Sequence, residues 1–488
     1  MIERDVRWLV GQCLMIGLPG PELDYESSAL IARHLINNVI LFRHNAPDPV
    51  STRRLTDELQ SFAKVETGVP MLIAADQEGG RVQRLVNGAT RLPSAMLMGR
   101  AGPGHVRAVA EIAGRELLAS GVNMVLAPVA DVNNNPLNPV IGVRSFGEDP
   151  VAVAACVTAA VEGYHSAGIV CCAKHFPGHG DTEADSHLLM PTVAAPTTVI
   201  ERRELPPFEA AIAAGVDAVM TGHLSMPAID DSRRPATLST PLTTGLLRRR
   251  LGFEGLVCTD SMEMGGVVHH HPDFGEVAVR AFEAGNDLIA VPHSVARCEA
   301  AVTGILEAVA AGRITLDRLR LSATRVAAAR DRARVPKEAG GLDLAHHAET
   351  VERAVRAGVR VTSRPDLLPL RGRIGVTSYD SGGATGAEEA RQRDDDPFVA
   401  AAARRGAISR RPGETLAVDS LLIGVHRPSP GQITLLEGLA RERAGMAVVC
   451  LREPYALAGL RDKVAVVEAC DDGPFAIEAA LDRVLGVG

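Results

Sequence analysis

The sequence has no membrane-length apolar run, no excess of positive charge and few aromatic residues. No apolar run reaches the roughly 18 residues needed to cross a bilayer, so no membrane partner is expected. The formal net charge is -8, and no basic stripe with interleaved aromatics is present, which argues against nucleic-acid binding. Aromatic residues make up 3% of the chain, with one tryptophan, Trp8.

The sequence also has no cysteine framework and no secretory leader pattern. Its eight cysteines are scattered, and several lie in apolar runs, which predicts buried, reduced thiols rather than disulfides. The N-terminal residues 1–7 are charged and have no signal-peptide core. Both features predict a cytoplasmic protein.

Apolar residues make up 46% and charged residues 23% of 488 residues, as in soluble globular proteins with more than one domain. Over residues 8–335, apolar runs alternate with helix-like segments. The predicted strands are Cys13–Leu18, Asn38–Phe42, Met71–Ala75, Asn123–Ala127, Ile169–Ala173, Ala218–Thr221, Leu256–Thr259 and Asp287–Val291. Eight such units predict an α/β fold, a (β/α)8 TIM barrel over residues 1–335, with a doubly wound open sheet as the alternative.

A second, smaller α/β segment follows the barrel. Residues 336–365 are charged and alanine-rich, which predicts a linker or bridging helix. Residues 366–488 are expected to form an α/β sandwich domain. Its predicted strands are Arg373–Thr377, Ser420–Val425, Ala447–Leu451 and Val464–Glu468.

The most informative stretch is Lys174–His187, which contains three histidines, a lysine and three acidic residues in fourteen positions. It follows the fifth predicted strand, and polar residues follow four other strands of the barrel. The five strand-end positions are Asp76, Asp131, Lys174, His223 and Asp260. In a TIM barrel the carboxyl ends of the strands carry the active site, so these residues are expected to converge.

Position alone leaves the roles of the candidates open. Asp260, at the end of the seventh strand, suits a nucleophile or the cap of the next helix. Asp185 and His187, two positions apart, suit an oriented proton-transfer pair or a surface turn. Lys174 and His175 can donate to substrate hydroxyls, although Lys174 could instead pair with a barrel carboxylate.

Arginines and histidines allow further interpretations. Arg81, Arg84 and Arg144 are guanidinium candidates, and Arg144 could contact substrate or brace its loop against Asp131 or Asp149. The histidines at 175, 179 and 187 and the run 269–271 match no zinc-binding spacing. No metal and no cofactor are expected.

Four blocks, which occur along the chain in the family's order, resemble bacterial β-N-acetylglucosaminidases of glycoside hydrolase family 3. The resemblance is to the NagZ type in a two-domain form. The strongest is Lys-His-Phe-Pro-Gly-His-Gly-Asp-Thr at 174–182 with Asp-Ser-His at 185–187. The others are residues 76–84, residues 127–133 with 144–147, and Thr-Asp-Ser-Met-Glu-Met at 259–264. Together they cover most of residues 8–300.

The resemblance implies a retaining glycosidase. Asp260 would form a covalent glycosyl-enzyme, while His187, oriented by Asp185, would act as acid and then base. The sugar-contacting positions would be Asp76, Arg84, Arg144, Lys174 and His175. The expected substrate is a small saccharide with terminal N-acetylglucosamine, such as a muropeptide or chitin fragment, because few aromatics are available for a long stacking groove.

Other functions remain open at this point. A phosphorylase of the same family would use phosphate in place of water, and a hydrolase could act on another β-glycoside or a glycosylated natural product. A non-catalytic sugar-binding protein is disfavoured by the intact residues Asp260, Asp185 and His187.

Overall fold

Eight short parallel strands form a ring in the first part of this computed structural model. They are β1 (Leu14–Ile16), β2 (Asn38–Leu41), β3 (Leu72–Ala75), β4 (Met124–Val125), β5 (Val170–Phe176), β6 (Ala218–Thr221), β7 (Leu256–Thr259) and β8 (Ile289–Val291). Their order in the sheet is β8-β1-β2-β3-β4-β5-β6-β7. A bridge between Cys258 and Leu288 joins β7 to β8, so the sheet closes into a barrel. The predicted TIM barrel is confirmed, and the open sheet is wrong.

The structure describes residues 2–186, 188–269, 273–334, 342–380, 396–409, 418–443 and 445–486. The α-helices of the first part are α1 (Ile2–Gln12), α2 (Tyr25–His34), α3 (Pro49–Glu66), α4 (Ala95–Ala101), α5 (Pro103–Ala119), α6 (Pro150–Ala167), α7 (Thr197–Arg203), α8 (Pro206–Ala213), α9 (Gly265–Val268), α10 (Phe274–Ala284), α11 (Val295–Ala310) and α12 (Leu316–Arg332). A π-helix spans Pro241–Arg250. Side chains of Asp48, Asp149 and Asp273 cap helices α3, α6 and α10, where they accept hydrogen bonds from free backbone N–H groups.

The barrel interior is packed with apolar side chains rather than open. The strands and the residues next to them contribute Met15, Ile40, Leu72, Ala74, Met124, Leu126, Val170, Cys172, Ala218, Met220, Leu256, Cys258 and Leu288. Val326 and Ala329 of α12 belong to the same buried cluster. Because strands are buried on both faces, they appear in the sequence as nearly continuous apolar runs.

A six-stranded sheet forms the second part of the molecule. Its strands are β9 (Arg360–Ser363), β10 (Ile374–Tyr379), β11 (Ile408–Ser409), β12 (Ser420–Val425), β13 (Met446–Cys450) and β14 (Ala465–Glu468), in the order β9-β14-β13-β12-β10-β11. The helices among its described residues are α13 (Leu344–Gly358), α14 (Pro397–Arg404), α15 (Pro430–Glu442) and α16 (Pro474–Leu485). We call this unit the second domain. The expected α/β sandwich is confirmed as the fold class.

Two strands of the second domain are absent from the sequence prediction. Strand β9 runs antiparallel to β14 and lies, with α13, in the segment 336–365 that was expected to link the two parts. Strand β11 has only two residues, and both are exposed. Neither strand contains the apolar run on which the prediction depended.

All eight cysteines are buried and none forms a disulfide, as the sequence predicts. In the described ranges, no helix combines the length and the apolar character needed to cross a membrane.

Candidate active site

A cavity of about 300 Å³ opens at the carboxyl ends of the barrel strands. Six residues singled out in the sequence line it: Asp76, Arg84, Arg144, Lys174, His175 and Asp260. Apolar barrel side chains, including Leu126, Met220 and Leu288, also line it. Ligand pockets usually measure about 300–1,000 Å³, so this cavity suits one small polar molecule.

Lys174 lies at the centre of the charged wall of the cavity. Its Nζ is 2.7 Å from a carboxylate oxygen of Asp76 and 2.7 Å from one of Glu78. The Lys174 side chain is almost completely buried. The pairing with a barrel carboxylate, left open in the sequence, is therefore present, and the Asp76 carboxylate that receives it also lines the cavity.

Two arginines complete the charged wall. Arg84 Nη2 donates to Asp76 at 2.9 Å, and Arg144 donates to both oxygens of Glu78 at 2.8 Å. Because these carboxylates are buried, desolvation opposes their ionisation, but the adjacent cations outweigh it. The pKa of Glu78 is lowered to about 2, and that of Asp76 lies well below its usual range. Both carboxylates are fixed acceptors at neutral pH.

Glu78 is a cavity residue that the sequence analysis missed. It lies in the hairpin formed by Gln77–Gly79 and Val82–Gln83, directly after β3. Its position two residues after Asp76 was the available signal, because i and i+2 side chains of an extended segment point the same way. The Arg144 side chain hydrogen-bonds Glu78, Val140 O and the His175 ring. Neither Asp131 nor Asp149, the two braces that the sequence allowed, is among these partners.

The His175 ring is oriented by a buried carboxylate. Asp131 Oδ2 lies 2.8 Å from His175 Nδ1, and Asp131 Oδ1 accepts from the His175 backbone N–H at 3.2 Å. Nε2 lies 3.3 Å from Arg144 Nη2. If Nδ1 carries the proton, Nε2 is the acceptor at the cavity. We call Asp76, Glu78, Arg84, Arg144, Lys174 and His175 the binding half of the site.

Asp260 lies across the cavity from these charges, at the end of β7. Its backbone N–H donates to Thr221 O at 3.1 Å, and its Oδ1 accepts from Ser261 N–H at 2.7 Å. The following helix, α9, begins at Gly265 with Met264 as its N-cap. Asp260 therefore does not cap that helix, and its half-buried carboxylate lines the cavity.

The loop after β5 packs against the segment that follows Asp260. Ser186 O accepts from Gly266 N–H at 3.1 Å, and Ser186 Oγ lies 3.0 Å from His179 Nε2. His179 Nδ1 lies 2.7 Å from Thr182 Oγ1. His179 thus connects two parts of its own loop, and burial lowers the pKa of its imidazole to about 4, so the ring is neutral.

Asp185 of the predicted proton-transfer pair lies in the loop after β5. Asp185 is half-buried, and its backbone oxygen accepts from Leu188 N–H at 3.0 Å and Leu189 N–H at 2.9 Å. His187 lies outside the described residues, so its contact with Asp185 stays a prediction. We call Asp260 with Asp185, Ser186, Leu188 and Leu189 the reacting half of the site.

The contacts of His175, His179 and His269 give no support for a metal site at the cavity. The rings of His175 and His179 are each engaged in hydrogen bonds. His269 is exposed, and His270 and His271 lie outside the described residues. A His165–Cys171–Asp217 cluster lies at the beginning of β5, away from the cavity. There Arg332 Nε pairs with Asp217 at 2.9 Å.

Comparison with known proteins gives a consistent set of similarities. The model of the glycosyl hydrolase family 3 N-terminal domain matches residues 6–329. Beta-hexosaminidase A of Pseudoalteromonas piscicida is 34% identical over 379 residues, which are 72% of this chain and 63% of that protein, so the match spans less than two thirds of that relative. Beta-hexosaminidase of Chromobacterium violaceum is 35% identical over 285 residues, covering 57% of this chain and 78% of that protein.

The structural likeness extends over both parts of the chain. A glycoside hydrolase family 3 β-N-acetylglucosaminidase from Paenibacillus sp. str. FPU-7 superposes with a TM-score of 0.87 at 35% identity. The superposition covers 99% of this chain and 96% of that one.

Proposed function

The chain belongs to glycosyl hydrolase family 3, and we propose that it is a retaining exo-β-N-acetylglucosaminidase. It would release terminal β-linked N-acetylglucosamine from small glycosides. The observation that carries the proposal is that Asp260 lines one small cavity together with a preformed set of buried charged side chains. Relatives described as β-hexosaminidases and the β-N-acetylglucosaminidase with the same two-part structure support the choice of sugar.

The binding half would hold the terminal sugar through its hydroxyls. The carboxylates of Asp76 and Glu78 would accept hydrogen bonds from sugar hydroxyls, and Arg84 and Lys174 would donate to them. The His175 ring would accept through Nε2 when Nδ1 carries the proton. Since ion pairs fix these groups before the sugar arrives, little reorganisation is needed on binding.

In the first step, a carboxylate oxygen of Asp260 attacks the anomeric carbon and forms a glycosyl ester. The glycosidic C–O bond breaks, and its electron pair stays on the leaving oxygen, which takes a proton from the imidazolium of His187. Most retaining glycosidases use a second carboxylic acid for this proton. A histidine, with an unperturbed pKa near ~6.5, can perform the same transfer near neutrality. Asp185 would orient its ring.

In the second step, water attacks the anomeric carbon of the ester. His187, neutral after the first step, takes a proton from that water, and the C–O bond to Asp260 breaks to restore the carboxylate. Two displacements at the same carbon retain the β configuration. The positions next to His187 contact the segment that follows Asp260 through the Ser186–Gly266 hydrogen bond, which supports proton transfer on this side of the cavity.

The size of the site supports a short substrate. A cavity of about 300 Å³ accommodates one sugar unit, and the low aromatic content leaves little stacking surface for a long chain. We therefore extend the proposal to muropeptide or chitin fragments as substrates.

A pair of 4-nitrophenyl β-glycosides that differ only at C2 tests the proposal. The acetamido sugar should be turned over faster than the 2-hydroxyl sugar by the full-length protein, and a preference for the hydroxyl would overturn the choice of sugar. Running the same reaction with and without inorganic phosphate tests the acceptor. Free N-acetylglucosamine should form in both cases, and sugar 1-phosphate as the main product would contradict hydrolysis.

A further inference from the structure

The second domain contacts the barrel at the backs of two loops that carry sugar-binding side chains. We infer that Asp472 and Tyr455 of this domain are positioning residues for the binding half. They would act through Arg81 and Asn133, which belong to the barrel. The inference rests on the proposed function in one respect, namely that the binding half holds the terminal sugar.

The first contact clamps the hairpin after β3. Asp472 Oδ2 accepts from Arg81 Nη2 at 2.7 Å and from Arg81 Nε at 3.1 Å. Arg81 lies at the tip of this hairpin, and the Asp472 side chain is only 3% exposed. Charge-assisted bonds of this kind, shielded from water, are stronger and better directed than exposed pairs. The tip is separated by two residues from Glu78 and by two from Arg84, which line the cavity on either side of it.

Asp471 reinforces the same clamp. Its Oδ2 accepts from Ser94 N–H at 2.7 Å, and Ser94 Oγ donates to Cys470 O at 2.6 Å. Gly80 packs beside Ser94, since a Cβ at this position would lie 3.2 Å from Ser94 Cβ. The hairpin tip is therefore enclosed between the α4 N-terminus and the turn 470–472 of the second domain.

The second contact holds the loop of Arg144. Asn133 Nδ2 donates to the hydroxyl oxygen of Tyr455 at 2.8 Å, and Asn133 Oδ1 accepts from Gly142 N–H at 3.0 Å. Gly142 begins the short turn that ends at Arg144. Its φ is +45°, and a Cβ there would lie 2.2 Å from Glu453 of the second domain. The Glu453 side chain of the second domain therefore packs directly on this turn, and a Cβ at Gly142 would have to displace its carboxylate.

An apolar patch joins the two contacts. Met96 of the barrel, Val143 of the Arg144 loop and Cys470 of the second domain form one buried cluster, with Tyr455 packed against it. Buried apolar side chains therefore lie between the hairpin clamp and the loop clamp.

Both contacts converge on one ion pair. The hairpin carries Glu78 and the loop carries Arg144, and these two side chains form the bidentate pair at 2.8 Å in the cavity wall. A shift of either support would move one partner of this pair and would disturb Lys174, which shares Glu78. Misplacement of binding groups by about 1 Å is enough to reduce activity.

Two conservative variants test the inference, each with a matched control. In Asp472→Asn, KM for the aryl N-acetylglucosaminide and the inhibition constant of free N-acetylglucosamine should both rise roughly tenfold. The same should hold to a smaller extent for Tyr455→Phe. The controls are Asp366→Asn, an exposed carboxylate of the second domain, and Tyr25→Phe, which is 88% exposed. Both should behave as wild type, and Asp472→Glu should recover part of the lost affinity.

A double-mutant cycle separates positioning from general weakening. If Asp472 acts through Arg81, Asp472→Asn should have little further effect on KM in an Arg81→Met background. Additive losses in the double variant would contradict that route.

Amide hydrogen exchange supplies a readout that does not depend on activity. Residues 77–84 should exchange faster in Asp472→Asn, and residues 138–144 faster in Tyr455→Phe, with the remainder of the barrel unchanged. Unchanged exchange and KM within twofold of wild type, in variants that melt as wild type does, would overturn the inference. Failure of the wild-type protein to cleave the aryl glycoside would instead count against the proposed function and leave the exchange result interpretable.

Discussion

The two halves of the candidate site are held in place by different forces. The binding half is a network of buried ion pairs, in which Lys174, Arg84 and Arg144 neutralise Asp76 and Glu78. In the reacting half, hydrogen bonds join the described residues to their surroundings: Asp260 Oδ1 accepts from Ser261 N–H, and Ser186 O accepts from Gly266 N–H. The ion pairs indicate that the charged side chains of the binding half are fixed before any ligand arrives.

The largest expected effect is loss of turnover without loss of binding. Asp260→Asn should lower kcat on an aryl N-acetylglucosaminide by about 10⁴-fold or more, because no carboxylate remains to form the glycosyl ester. The affinity for free N-acetylglucosamine, measured by calorimetry, should stay close to that of wild type. Asp317→Asn, a change of the same type at a 94% exposed side chain, is the control. A parallel loss of sugar affinity would show that the halves are not separable.

Removing the central cation of the binding half should affect folding as well as affinity. In Lys174→Met, the buried carboxylates of Asp76 and Glu78 lose a shared partner, and breaking such a pair costs about 3–5 kcal/mol of stability. The free energy of unfolding from urea titration measures this loss. Lys64→Met, at an exposed position of α3, should change it by less than about 0.5 kcal/mol. A tolerated Lys174→Met would mean that the network is not the main support of the binding half.

The loop after β5, which contains His179, should make the free energy of unfolding depend on pH. The pKa of buried His179 is lowered to about 4 from an ordinary value of 6.5. The folded state binds this proton less tightly than the unfolded state does. The contribution of the neutral His179 ring to the free energy of unfolding is therefore present above pH 6.5 and is lost as the pH falls from 6.5 to 4. The loss amounts to about 3 kcal/mol.

Unfolding free energies at pH 8 and pH 4.5 measure this linkage. His179→Gln should be less stable than wild type at pH 8 but should lose less on acidification. His346→Gln, at an exposed position of α13, should keep the wild-type slope. Equal slopes in wild type and His179→Gln would contradict the assignment of the buried neutral ring.

The proposed role of His187 as the acid predicts that the rate loss in a His187 variant depends on the leaving group. His187→Ala should slow a glycoside with a poor leaving group by about 10²-fold, and an activated aryl glycoside much less, because an activated leaving group needs little protonation. The slope of log kcat/KM against leaving-group pKa measures the difference. Equal losses on all leaving groups would remove His187 from the acid role, and His346→Ala should leave the slope unchanged.

Sequence patterns predicted the barrel but only part of the site. The ends of the eight barrel strands differ from the predicted ends by two residues or fewer, except that β5 ends at Phe176 rather than Ala173. The agreement is close because strands buried on both faces appear as continuous apolar runs. Asp76, Lys174 and Asp260 could be placed by the rule that strand ends converge. Glu78, by contrast, needs the hairpin geometry, and its partner Arg144 comes from a loop 66 residues away. Strand β9 was missed because an edge strand with exposed residues has no apolar pattern.

The smallest expected effect comes from adding one methyl group beneath the loop. A Cβ at Gly266 would lie 3.0 Å from Ser186 O, 3.2 Å from Leu189 O and 3.3 Å from His223 Cβ. Since these contacts are tight, Gly266→Ala should displace residues 186–189 by a few tenths of an ångström. The binding half shares none of these contacts.

Gly266→Ala should therefore lower kcat about three- to tenfold while KM and the affinity for N-acetylglucosamine remain near wild type. Gly104→Ala in α5 is the matched control, because a Cβ there meets nothing within 4 Å, and alanine should slightly stabilise the helix. Michaelis–Menten parameters of both variants give the comparison. If KM rose and kcat did not change, the loop would support sugar binding rather than proton transfer. The binding half and the reacting half would then not be held independently.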